Sequence, residues 1–215
     1  MRKIRNTNEL SDVLSDLLAW RKKEISTISL LIKDAKLDHI KELYYRTFIP
    51  ILYAHWEGYA KEASNYYINY VSNQHLTYKD LATNFISISC YKEIRKTAES
   101  KQFHMYNSLV DFLILNQDDQ ARIPLEGSIN TESNLSSKVL QNILFMIGIS
   151  CDSNWTIKLP FIDGKLLYHR NKIVHGEYHL IDESTFMELR NLVIYLLDLF
   201  KYSIENSASL KNYRR

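Results

Sequence analysis

The sequence contains little glycine and proline, with five and three of them in 215 residues. Turn-rich β-sandwiches and barrels use both freely, because tight turns depend on positive φ angles and on the fixed φ of proline. Long apolar runs are also lacking, and no run approaches the roughly 18 residues that a transmembrane helix requires. These scarcities favour a helical protein and predict no contact with a membrane.

Charge of one sign is not in excess. The 27 lysine and arginine residues nearly balance the 25 acidic residues, which leaves a net charge of +2. Any contact with nucleic acid must therefore come from a local patch. The two cysteines, Cys90 and Cys151, form no C-x-x-C pair, which indicates free thiols in a reducing cytoplasm. No apolar segment follows the basic N-terminus, so we expect no signal peptide and a cytoplasmic protein.

Apolar residues recur at intervals of three and four through most of the chain, which predicts amphipathic helices. The pattern predicts helices over residues 6–35, 38–73, 103–116 and 133–147, in the motif region, and after Asp182. Residues 77–101 are compatible with a helix of weaker propensity.

Several single residues predict where these helices begin, bend or touch. Asn6 followed by Glu9 resembles a capping box, and Asp182 is a candidate cap for the last helix. Pro50 is expected to kink or split the second helix. Gly58 inside that helix indicates close approach of another helix.

A polar connection over residues 117–134 is long for a compact domain. Either an ordered crossing or a mobile segment fits it. We expect no domain boundary there, because the helices beyond it need the earlier ones for a core, and we treat residues 1–215 as one domain. Ser133 and Asn134 are expected to cap the helix that follows. The tail, residues 208–215, is basic and expected to be frayed.

The most informative stretch is residues 166–178, LLYHRNKIVHGEY, which holds Arg170, Asn171 and His175 and then Gly176. Arginine grips phosphate oxygens with a planar fork, and histidine transfers protons near neutral pH. Asn171 and His175 are four apart and share a helix face. Arg170 starts about 140° from His175, but its long side chain can reach back. The spacing therefore permits a phosphodiester-handling cluster without enforcing one.

Neighbouring residues set the context of this motif. Ile173 and Val174 are predicted to anchor the motif helix to the core. His169 and His179 flank the motif and are expected to be surface or capping residues. A purely structural alternative stays open, in which the motif side chains only cap and bridge helices.

The R-N-x-x-x-H motif, the segment YAHWEGYAKEASNYYINY and the pattern SNLSSKVL together resemble the MAE-like branch of the HEPN superfamily. These are all-helical domains that include metal-independent RNA-cleaving toxins and defence proteins. The resemblance implies an all-α bundle of long antiparallel helices. It covers roughly residues 40–205, which leaves residues 1–37 as an N-terminal helix and 208–215 as the tail.

The resemblance also implies an activity and its residues. It implies a metal-independent endoribonuclease without a cofactor, with Arg170, Asn171 and His175 as catalytic residues. Attack of an RNA 2′-hydroxyl on the adjacent phosphate would leave a 2′,3′-cyclic phosphate and a 5′-hydroxyl. Glu57 and Tyr178 are candidate supporting residues. Some HEPN toxins carry the motif H-x-Y, in which a partner nucleotidyltransferase adenylylates the tyrosine. Here Tyr178 follows His175 as H-x-x-Y, so we assign no such partner.

One histidine cannot easily be both base and acid, and in HEPN nucleases two copies of the motif meet in a homodimer. The resemblance implies the same here, with RNA as substrate, a role as a toxin or in anti-phage defence, and an antitoxin or defence protein as a candidate partner. Two alternatives stay open: a HEPN domain that binds RNA or nucleotide without cutting, and a helical interaction module.

Overall fold

The computed structural model describes residues 2–100, 102–125, 127–132 and 134–215, and its regular structure is helical throughout these ranges. The helices are α1 (Thr7–Asp34), α2 (Asp38–Ser72), α3 (Thr83–Glu99), α4 (Phe103–Leu115), α5 (Ser137–Met146), α6 (Ser153–Thr156), α7 (Leu159–Phe161), α8 (Tyr168–Val174) and α9 (Glu183–Ser209). A 3-10 turn, Tyr78–Asp80, precedes α3, and a π-helical turn, Ile162–Leu167, joins α7 to α8. The predicted all-α fold is confirmed. Across the described ranges, no helix is both long enough and apolar enough to span a bilayer.

The three longest helices form the centre of the bundle, and α2 and α9 run in the same direction. The rings of Tyr45 and Phe186 lie 5.4 Å apart near the start of both helices. Near their ends, the hydroxyls of Tyr67 and Ser207 are hydrogen-bonded at 2.9 Å. Residues 73–182 must therefore carry the chain back from the end of α2 to the start of α9.

Helix α1 runs antiparallel to both partners. Ser11 near its start donates to Glu205 near the end of α9, whereas Ser29 near its end accepts from Arg190 near the start of α9. The α1–α2 connection is short, as is usual for antiparallel neighbours. The predicted long antiparallel helices are present, together with the parallel pair α2 and α9.

Both predicted N-terminal caps are present. The Asn6 side chain accepts from the Glu9 amide at 2.9 Å, and Glu9 reaches back to the Arg5 amide at 2.8 Å. Asp182 accepts from the Thr185 amide at 2.7 Å at the start of α9. These contacts satisfy amide groups that a helix start would otherwise leave without a partner.

Helix α2 passes through Pro50 without interruption, so the helix is not split there. Proline cannot donate to the Arg46 carbonyl, yet the neighbouring turns are buried in the core and hold the helix together. At Gly58 a Cβ would lie 3.3 Å from Nη2 of Arg21 on α1, so the glycine leaves room for that side chain rather than for the backbone of another helix. Arg21 is buried and forms an ion pair with Glu62 at 3.0 Å.

The polar connection is an ordered crossing where the structure describes it. The Ala121 amide donates to the Leu76 carbonyl at 2.9 Å, and Ile123 and Ile129 are buried. The next helix was predicted to be capped by Ser133 and Asn134, and this is wrong. Helix α5 begins at Ser137 and is capped by Ser136.

Of the two residues expected to cap α5, Ser133 lies outside the described residues. The Asn134 side chain accepts a hydrogen bond from Arg170 instead. Ser136 takes the capping position because its hydroxyl lies where the Val139 amide can donate to it, at 3.3 Å.

The tail is docked rather than frayed. Tyr213 is buried, and its carbonyl accepts from the Ala82 amide at 2.9 Å. The Arg215 amide donates to the Asp80 carbonyl at 3.0 Å. The basic composition of the tail gave no sign of this contact. Burial of Tyr213 holds the end of the chain against the turn before α3.

We expect Trp56→Ala to lower the free energy of unfolding by about 3–5 kcal/mol, the usual cost of deleting a buried tryptophan. Trp56 is fully buried, 5.9 Å from Phe200 and 6.4 Å from Trp155 between ring centroids. Trp20→Ala is the control, because Trp20 is 48% exposed; its cost should be about 1 kcal/mol or less. Urea denaturation measures both, and equal losses would contradict this account of the core.

Candidate active site

The motif helix is the end of a longer helical segment, residues 159–174, in which the π-helical turn separates α7 from α8. Ile162 and Leu166 are fully buried and anchor the segment to the core. Asp163 accepts from the Ser137 amide at 2.7 Å and so ties the segment to the start of α5. A π-helical turn widens the helix locally and is frequent at functional sites.

The end of α8 has the geometry that glycine allows. Gly176 has φ +79°, its amide donates to the Ile173 carbonyl at 3.1 Å, and the Glu177 amide donates to the Lys172 carbonyl at 3.0 Å. This pair of bonds is the Schellman arrangement, which needs a left-handed residue after the cap. His175 is therefore the C-cap residue, and its side chain is exposed.

The structure brings Arg170 and Asn171 together. Nη1 of Arg170 donates to Oδ1 of Asn171 at 2.8 Å and to Oδ1 of Asn134 at 2.7 Å. The Asn134 amide group thus orients the arginine instead of capping α5. Among the described residues, neither Nη2 nor Nε of Arg170 has a hydrogen-bond partner.

Tyr53 on α2 forms the floor beneath this arginine. The guanidinium carbon of Arg170 lies 4.9 Å from the ring centroid, a cation–π distance. Tyr53 is buried, and its hydroxyl accepts from the Leu135 amide at 2.5 Å. Burial raises the pKa of Tyr53 to about 12, against the lowering effect of the Leu135 bond. The hydroxyl therefore stays neutral at physiological pH and is part of the scaffold.

Glu57 lies one turn beyond Tyr53 on the same helix. After burial, the Glu57 carboxylate is among the smaller causes that raise the pKa of Tyr53. The support predicted from Glu57 stays a prediction.

The other predicted side chains are less engaged. The His175 ring has no hydrogen-bond partner among the described residues, although the His175 amide donates to the Asn171 carbonyl at 2.9 Å. Tyr178 is 84% exposed, and the structure does not bring it to the cluster. Ile173 packs against the core as predicted, but Val174 is 53% exposed, because the turn of α8 directs it to solvent.

His169 and His179 form a pair, which the sequence did not predict. Nδ1 of His169 lies 2.6 Å from Nε2 of His179, and the rings are 4.9 Å apart. Burial lowers the pKa of His169, and the neighbouring His179 and Lys165 lower that pKa further. The pair ties the loop after the motif back to α8.

Arg46 on α2 supports the same loop and was not predicted either. Its Nη2 donates to the Glu177 carbonyl at 2.9 Å. Lys172 holds the Glu177 side chain in an ion pair of 3.0 Å. The backbone just after His175 is thus fixed from two helices.

Spacing within α2 could have revealed part of this site. Arg46, Tyr53 and Glu57 lie at intervals of seven and four, which places them on one helix face. That face lies against α8 and is distinct from the apolar stripe that packs against α1. No comparable sequence signal exists for Asn134, because its role depends on how the crossing loop lies.

The arrangement suits a phosphodiester. A guanidinium held by two amide oxygens and an aromatic ring is preorganised, and its outer nitrogens can bind phosphate oxygens in a fork. An exposed imidazole lies five residues further on, about 1.4 helical turns, with its backbone fixed. These are an anion-stabilising group and a proton-transfer group on the same short helix.

Comparison with known families gave a match over most of the chain. The model of the family described as HEPN_MAE_28990-like HEPN matches residues 10–213. No curated protein and no solved structure matches the chain.

We expect Gly176→Ala to lower the free energy of unfolding by about 1–2 kcal/mol, because an L-residue with a side chain is strained at this positive φ. Gly164→Ala is the matched control. Neither position has an atom within 4 Å of the added Cβ, but only Gly176 has a positive φ. The control should be neutral or stabilising by up to about 1 kcal/mol. If urea denaturation gives the same change in the free energy of unfolding for both variants, this contradicts the Schellman ending of α8.

Proposed function

Because the chain belongs to the HEPN_MAE_28990-like HEPN family, we propose that it is a metal-independent endoribonuclease. Membership alone suggests an RNA-cleaving or nucleotide-binding module. The observation that favours cleavage is the preorganised Arg170, held by Asn134, Asn171 and Tyr53, on the same short helix as the exposed His175. A domain that only bound RNA electrostatically would not need a guanidinium fixed in three ways.

In the proposed reaction an RNA 2′-hydroxyl attacks the adjacent phosphorus, and the bond from phosphorus to the 5′-oxygen breaks. His175 takes the 2′-hydroxyl proton or gives a proton to the leaving oxygen. Arg170 stabilises the negative charge that develops on the phosphorane oxygens. The products are a 2′,3′-cyclic phosphate and a 5′-hydroxyl, and DNA is inert because it lacks the nucleophile.

Asn171 has a positioning role in this proposal. Its Oδ1 accepts from Arg170, so its side chain orients the arginine rather than the histidine. The two Nδ2 hydrogens are donors that can contact a phosphate oxygen. Asn134 acts on the same guanidinium from the crossing loop.

The proposed active site is shared between two copies of the chain. The proposed reaction requires a base and an acid, and each chain contributes one motif histidine. Two α8 helices facing one cleft would supply two histidines and two arginines. The exposed positions of His175 and Val174 favour this contact. We propose that the dimer acts as a toxin or a defence effector and is restrained by a partner protein.

A HEPN domain that binds RNA or nucleotide without cutting is the second candidate. One observation favours it: among the described residues, none hydrogen-bonds the His175 ring. An unoriented imidazole is a poorer proton-transfer group.

We expect purified protein to cleave labelled RNA in the presence of EDTA and to leave DNA intact. His175→Ala should lower the cleavage rate by about 10²–10⁴, the usual loss of a proton-transfer group. Arg170→Ala should cost about 10²–10³, the usual loss of an oxyanion-stabilising group. Asn171→Ala and Asn134→Ala should each cost less than Arg170→Ala, and by similar amounts, since both orient the same nitrogen.

His39→Ala is the control, because His39 is an exposed histidine on α2 outside the site; it should cleave like the wild type. Circular dichroism checks that each variant is folded. If RNA stays equally intact with the wild type and with His175→Ala, and both proteins bind RNA, the binding-module proposal replaces the nuclease proposal.

We expect His175→Ala protein to inhibit the wild type when subunits are mixed and allowed to exchange. In a shared cleft a mixed dimer lacks one histidine, so activity should fall steeply as the variant is added in excess. RNA is kept in excess over both proteins, so that competition for substrate does not mimic this effect. Unchanged activity at fixed wild-type concentration would show that each chain works alone.

A further inference from the structure

Helix α4 has apolar residues on part of the side that faces solvent as well as on the side that faces the protein. Met105, Leu109 and Phe112 lie at intervals of four and three and are partly buried. The exposed apolar residues of α4 are Phe103, Tyr106, Val110, Leu113, Ile114 and Leu115. No residue of α4 is fully buried. His104, Asn107, Ser108 and Asp111 form an exposed polar stripe along α4. The apolar face is wider than the part that contacts the protein, so the rest of that face lacks a cover.

The neighbouring α3 exposes apolar residues as well. Tyr91 and Ile94 are 61% and 41% exposed. Helices α3 and α4 pack against each other as a hairpin, with the Thr97 hydroxyl donating to the Met105 carbonyl at 3.5 Å and the Tyr106 hydroxyl to the Ser100 carbonyl at 3.0 Å. We call the exposed apolar residues of α3 and α4 the hairpin surface.

The size of the hairpin surface fits a stable protein contact. Large side chains expose on the order of 150–250 Å² each when free, so the surface totals on the order of 800 Å². One partner in a standard interface contributes about 800 Å². Exposed apolar patches on monomers seldom exceed a few hundred Å².

The charges around the hairpin surface indicate the kind of partner. Arg95 pairs with Glu99 at 3.0 Å, and Lys96 pairs with Glu93 at 3.2 Å. These pairs neutralise each other, so the surface does not select an acidic or a basic partner. A second copy of the same surface satisfies both conditions, because it is equally apolar and equally neutral. Two-fold contacts between identical patches are the commonest form of protein association.

We propose that two copies of the chain associate through the hairpin surface, so that two α3–α4 hairpins form a four-helix bundle. This contact is separate from the proposed pairing of motif helices, since α8 packs on α2 whereas α3 and α4 pack on each other and α3 on α5. If the motif helices also pair and the two two-fold axes are perpendicular and intersect, the assembly closes as a tetramer. The hairpin contact does not rest on the nuclease proposal.

The test is the molar mass of wild type and Ile114→Glu, measured by sedimentation equilibrium. Leu30→Glu is the matched control, because Leu30 on α1 is 59% exposed and Ile114 is 60% exposed. Ile114→Glu should halve the mass of the assembly, from tetramer to dimer or from dimer to monomer. Leu30→Glu should leave the mass unchanged, and both variants should keep the helical circular dichroism of the wild type.

Hydrogen exchange of the α4 amides gives a second measurement that needs no substitution. Their protection should increase with protein concentration in the wild type, and much less in Ile114→Glu. A mass that Ile114→Glu leaves unchanged overturns the proposal and points to a different polypeptide as the cover of α4. A wild type that is monomeric at micromolar concentration also overturns it.

Discussion

Parallel packing of α2 and α9 forces the chain to return the full length of a long helix before α9 can begin. The pairs Tyr45–Phe186 and Tyr67–Ser207 hold the two helices in that direction. Antiparallel neighbours can be joined by a few residues, but parallel ones need a long crossover. All of the shorter helices lie in this crossover, and the motif helix is the last of them. The position of the candidate site follows from this requirement.

Helix α2 connects the core with the candidate site. One side contributes Trp56 to the aromatic core. Another side places Tyr53 under the guanidinium of Arg170 and Arg46 against the loop after the motif. The arginine is therefore positioned by a helix that cannot shift without disturbing the core. Preorganisation of this kind is what charge stabilisation in a transition state requires, because the donors need not reorganise during the reaction.

The candidate site combines a fixed arginine with an exposed histidine. Arg170 is fixed by hydrogen bonds to two asparagine side chains and by the Tyr53 ring beneath it. His175 is exposed because α8 ends at this residue, just before Gly176. Membership in the HEPN family suggests an RNA-cleaving or nucleotide-binding module, and the exposed histidine is accessible to a ligand or a second chain. The uncovered α4 lies on another part of the chain, so assembly through it would leave the motif helices available to each other.

By itself the sequence determined the helical fold, the caps at Asn6 and Asp182, and the placement of Arg170, Asn171 and His175 together at the end of one short helix. These depend on periodicity and on contacts a few residues apart, which a linear pattern records. Only the tertiary structure decided the parallel α2–α9 pair, the docked Tyr213 and the role of Asn134. The physical reason is sequence distance. Asn134 meets an arginine 36 positions away, and no local propensity encodes where a crossing loop comes to lie.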